Sequence, residues 1–68
     1  MTPTQFRAAL DRLDLPDARF ACLIGAHERT PHSWAAGRRS VPESVAILLR
    51  LMVAGRITVY DIEKARKT

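Results

Sequence analysis

The chain is 68 residues long and 47% hydrophobic, enough apolar material for one core and too little chain for two, so a single domain over 1–68 is expected. Eleven Lys and Arg against seven Asp and Glu give a net charge of +4, an excess that favours polyanions without by itself requiring one. No apolar run approaches the ~18 residues that cross a bilayer, and the first residues have neither a basic region nor a small-residue cleavage site; a cytoplasmic protein with no membrane partner is expected.

Thr2-Pro3-Thr4-Gln5 has the form of a helix start. Thr2 is the N-cap, Pro3 takes the first helical position where a missing N–H costs nothing, and Gln5 is placed to reach back to the cap. Phe6, Ala9, Leu10 and Leu13 follow at i, i+3, i+4 and i+7, an apolar stripe that leaves Arg7, Asp11 and Arg12 toward solvent. Pro16 disfavours helical geometry at Leu15 and ends this helix, and Asp17 then puts a carboxylate at the positive end of a second helix running to about Ile24. The expected inward residues of that helix are Ala18, Phe20, Ala21 and Ile24, the small alanines letting another helix approach closely. Gly25 supplies a position free to take positive φ, so the chain is expected to turn within 25–27. A third helix is predicted over 28–35, burying Trp34 and stopped by Gly37.

Arg38-Arg39-Ser40-Val41 reads as a basic loop, and Pro42 at a first helical position with Glu43 behind it opens a fourth helix over about 42–54. That helix is apolar almost all round: Val45, Leu48, Leu49 and Met52 make one stripe, and Ile47, Leu51 and Ala54 make another. A domain of this size buries only about 60% of the surface its unfolded chain exposes and has difficulty covering both stripes. Ile47 and Leu51 are therefore predicted to form a homodimer interface. Gly55 caps the fourth helix, and Thr58 with Asp61 three residues on resembles a second capping box, for a short fifth helix over about 59–66. With no repeat, low-complexity tract or strand pattern, the expected fold is all-α, a compact five-helix orthogonal bundle.

Cys22 is the one cysteine, so no internal disulfide forms, which fits a reducing compartment. Cys22, His27 and His32 lie five apart, a spacing that neither aligns them on one helix face nor matches a zinc-finger pattern, so no metal is expected. Paired carboxylates in a cleft, a Ser-His-Asp set and a glycine-rich phosphate loop are all missing, so neither catalytic residues nor a cofactor is expected, and an enzyme is the poorest reading.

The informative unit is about 17–36: a short helix, a tight glycine turn, and a second short helix ending in a tryptophan and a glycine. Leu15-Pro16-Asp17-Ala18-Arg19-Phe20-Ala21-Cys22-Leu23-Ile24-Gly25, then Arg29-Thr30 and Trp34-Ala35-Ala36-Gly37-Arg38-Arg39, resemble the helix-turn-helix of the phage-repressor (Cro/C1, or XRE) family. The similarity continues through Val41-Pro42 into the leucine-rich fourth helix and so covers most of the chain. It implies a sequence-specific double-stranded DNA-binding transcriptional regulator, in its simplest form a homodimeric repressor of a phage or mobile-element type that sits on an inverted-repeat operator. It also implies that the third helix lies in the major groove, which admits an α-helix and presents base edges to it.

Carried over by position, Glu28, Arg29, His32 and Ser33 become the base readers. Arg29 suits guanine O6 and N7, Glu28 accepts from cytosine N4, and His32 and Ser33 take smaller polar roles. Arg38 and Arg39 follow the third helix where such proteins meet the backbone, and are expected to contact phosphate; Arg19, on the exposed side of the second helix, is a further phosphate candidate. Trp34 is read as core. Two positions differ from the family pattern. Pro31 stands where an apolar β-branched residue is usual, and Asp17 stands where a neutral polar residue is usual, so Asp17 is expected to serve as a cap. The alternative reading is a helix-turn-helix-derived protein-binding module, an antiactivator or antitoxin that does not bind DNA and uses its apolar fourth helix. Asp17 and Glu28 favour that alternative, whereas Arg29, Arg38 and Arg39 oppose it.

Overall fold

The Thr2 hydroxyl accepts the N–H of Gln5 at 3.1 Å, and the Gln5 side chain accepts the N–H of Thr2 at 2.9 Å. This reciprocal cap opens α1 (Pro3–Leu13) as its sequence directs. A computed structural model describes residues 1–67; Thr68, the end of the expected domain, lies outside the described residues. Four more helices follow among the described residues: α2 (Asp17–Ile24), α3 (Thr30–Ala35), α4 (Glu43–Val53) and α5 (Val59–Arg66). The all-α class is as expected. A second reciprocal cap starts α5, with Asp61 Oδ2 accepting the Thr58 N–H at 2.8 Å and the Thr58 hydroxyl accepting the Asp61 N–H at 3.2 Å.

Phe6 is the centre of the core. Its ring meets Phe20 at 6.0 Å and Trp34 at 5.6 Å, both edge to face, a geometry in which a ring's positive edge meets its neighbour's negative face. Ala9, Leu10, Leu15, Leu23, Leu49 and Met52 complete the same cluster. α1 packs on α3 and α4, while α2 packs on α3 and α5. No residue of α5 is fully buried; half-buried Val59 and Ile62, with Ile57 before the helix, hold it to the core. The second stripe of α4 stays uncovered, with Ile47 49% and Leu51 41% exposed. No helix among the described residues is long and apolar enough to cross a membrane.

Three local expectations are corrected. Ala18 is exposed, and Leu23 takes the inward place beside Phe20, Ala21 and half-buried Ile24. At about 100° per residue Ala18 lies some 200° around the helix from Phe20, so burying Phe20 turns Ala18 outward. The third helix begins at Thr30, two residues later than predicted. Pro31 has no N–H to give to the His27 carbonyl, and the Thr30 N–H takes that carbonyl instead, at 3.0 Å, in a tighter turn. Pro31 itself is fully buried and fills the apolar position through its ring. Pro42 is the N-cap of α4, not its first helical residue, because its ψ of 145° is extended.

Candidate nucleic-acid interface

α2 ends at Gly25, whose φ of 74° is left-handed, a conformation that costs glycine little and other residues more. The Gly25 N–H donates to Cys22 O at 3.3 Å and the Ala26 N–H to Ala21 O at 2.9 Å, closing the last turn of α2. The turn then continues through 29, longer than the predicted 25–27. His27 shapes it from both sides: its carbonyl takes the Thr30 N–H, and its Nδ1 accepts the Arg29 N–H at 3.2 Å.

Glu28 and Arg29 consequently precede α3 instead of lying in its first turn, with Arg29 as N-cap. Both are exposed, as is His32. Ser33 is half-buried, and its hydroxyl donates to the Arg29 carbonyl at 3.4 Å, a long bond that leaves the oxygen's acceptor side open. Ala36 is also exposed, four residues after His32 and on the same face. Reasoning from polar side chains passed over it, although its spacing was legible.

Arg38 and Arg39 begin where Gly37, at φ 78°, ends the helix. Their N–H groups both donate to Ser33 O, at 2.9 and 3.4 Å, which holds the two arginines one turn beyond α3. Both side chains are exposed. Three arginines are held in ion pairs. Arg7 meets Asp17 at 3.0 Å, Arg50 meets Glu43 at 3.2 Å and Arg19 meets Glu63 at 3.6 Å. Arg29, Arg38 and Arg39 have no carboxylate within 4.0 Å among the described residues. The structure thus brings Glu28, Arg29 and His32 together at the start of α3, sets Arg38 and Arg39 just past its end, and turns Arg19 toward α5.

Asp17 occupies the first turn of α2, near the helix's positive end. In place of the expected cap, its two oxygens accept from both terminal nitrogens of Arg7, at 3.0 and 3.1 Å. That hydrogen bonding raises the Arg7 pKa above its ordinary value, against the opposing effect of desolvation. The carboxylate therefore carries its own counter-charge. No local pattern linked these two residues, which are 10 apart in the chain.

On the α4 side, Leu48, Ile57, Ile62 and Ala65 line an apolar groove between α4 and α5 of about 400 Å³, with Asp61 and Arg66 at its polar margin. No family model matches the chain, and no curated protein or solved structure matches it.

Proposed function

We propose that the chain is a sequence-specific double-stranded DNA-binding regulator, a homodimeric repressor acting in the cytoplasm, in which α2, the turn and α3 form a helix-turn-helix. The observation that carries this reading is the distribution of cations around α3. Arg29 stands at one end of the helix and Arg38 and Arg39 at the other, all three exposed and without a carboxylate among the described residues. A short helix with cations at both ends suits a groove walled by phosphates. The resemblance of residues 15–39 to the phage-repressor helix-turn-helix supports the same reading.

In this reading Arg38 and Arg39 neutralise phosphate and set register, and the start of α3 reads bases. Arg29 donates its planar fork to guanine, Glu28 accepts from cytosine N4, His32 and Ser33 add polar contacts, and the Ala36 methyl meets a thymine methyl. Asp17, paired with Arg7, presents less repulsion to phosphate than a bare carboxylate would. Ile47 and Leu51 face the second subunit beside the α4–α5 groove, and a two-fold axis there requires an inverted-repeat operator with half-sites about 34 Å apart.

Selection from a randomised duplex library, followed by a salt titration on the selected site, tests this. A palindromic consensus with affinity falling steeply in salt is expected. A chain that retains no duplex even at low salt overturns the reading and leaves the protein-binding module, with the exposed Ile47–Leu51 face as its contact surface.

A further inference from the structure

α5 reaches back across α2. The Arg66 guanidinium donates to the carbonyl of Cys22, 44 residues earlier in the chain. That carbonyl belongs to the last turn of α2 and also accepts the Gly25 N–H. The other terminal nitrogen of Arg66 stands 3.9 Å from where a Cβ would project from Gly25. The guanidinium thus lies against the left-handed residue that begins the turn into α3. The Cys22 carbonyl keeps a second lone pair beside the Gly25 N–H and lies at the negative end of the macrodipole, and an arginine answers both the open acceptor site and the charge.

We propose that Arg66 is a positioning residue for α3: by capping α2 from outside, it fixes the direction in which the chain leaves Gly25, and through it the placement of Glu28, Arg29 and His32. The effect on DNA rests on the function proposed above; the effect on the turn does not. α5 suits the role because it has no fully buried residue of its own, and two polar contacts, Arg66 to Cys22 and Glu63 to Arg19, add to half-buried Val59 and Ile62 in seating it. A lysine at 66 keeps the charge but not the planar fork.

The test compares Arg66→Gln and Arg66→Lys with Lys67→Gln, which removes the same charge one residue away. Two readouts are taken: amide hydrogen exchange at Gly25 and Ala26, and affinity for the selected operator and for a scrambled duplex. Arg66→Gln is expected to speed exchange at both amides about threefold or more, leaving α1 and α4 unchanged. It should also lower operator affinity about fivefold beyond Lys67→Gln, while the two variants bind the scrambled duplex equally well, and Arg66→Lys should recover part of both effects. Unchanged exchange at Gly25 and Ala26, or an Arg66→Gln defect falling equally on operator and scrambled duplexes, would overturn the proposal. Failure of the wild type to bind any duplex would overturn the DNA-binding reading and the DNA half of this proposal, with the exchange rates still deciding whether Arg66 holds the turn.

Discussion

Asp17 and Arg7 meet through two parallel bonds of 3.0 and 3.1 Å, which tie the first turn of α2 to the outer face of α1. Both side chains keep contact with water, at 43% exposure for Arg7 and 24% for Asp17, so solvent screens the attraction. A double-mutant cycle of Arg7→Gln and Asp17→Asn by urea denaturation should give a coupling of about 0.5–1 kcal/mol, the upper part of the range for exposed pairs. In 1 M salt the coupling should shrink. Zero coupling at low salt would leave the seating of α2 to core packing alone.

Phe6 is fully buried between Phe20 and Trp34, so Phe6→Ala removes the ring that joins α1 to α2 and α3. The expected destabilisation is about 3–5 kcal/mol, against a total stability of roughly 3–10 kcal/mol for a chain of this length. Thermal denaturation followed by circular dichroism should show a melting temperature lowered by roughly 12–40 °C. A melting temperature within a few degrees of wild type would mean the core closes over the cavity.

Arg38→Ala with Arg39→Ala should weaken binding to every duplex alike and reduce the salt slope by about 0.9 for each phosphate that is no longer neutralised. Arg19→Ala should change the slope less, because Glu63 already partners that charge. An unchanged slope in the double variant removes both residues from the interface.

Leu51→Glu puts a carboxylate on the exposed stripe of α4, where the native side chain is 41% exposed, so the monomer's fold should tolerate it. Sedimentation should show a shift from dimer to monomer, and operator affinity should fall with it. A wild-type chain that sediments as a monomer both free and on DNA would contradict the interface.

Arg29→Ala tests base reading. The side chain is exposed and makes no ion pair among the described residues, so its removal should leave the fold intact. The cost should be about 1–3 kcal/mol concentrated at one operator base pair, with nonspecific affinity falling much less. If wild type and variant select the same consensus, base reading moves to Glu28, His32 or Ser33.

Much of the local architecture was legible in the order of residues. Thr2 with Gln5, and Thr58 with Asp61, marked the starts of α1 and α5 because a capping box is completed within four residues. Gly25 and Gly37 marked helix ends for an equally local reason, the left-handed backbone each adopts. Pro31 was visible in the sequence, but its missing N–H shifted the start of α3 to Thr30 and moved Glu28 and Arg29 out of the helix, a consequence that emerges only when each backbone donor is followed to its acceptor.

Residue order alone dictates where most helices begin and end, which stripe of α1 faces inward, and that α4 carries more apolar surface than one small bundle covers. Tertiary packing was needed to establish that Asp17 pairs with Arg7, that Arg19 turns to Glu63, and that Arg66 reaches Cys22. The division has a physical cause. Caps and turns are settled by bonds among near neighbours in the chain, whereas side chains 10 or 44 residues apart meet only where helix packing around Phe6 brings them together, and no local pattern encodes that.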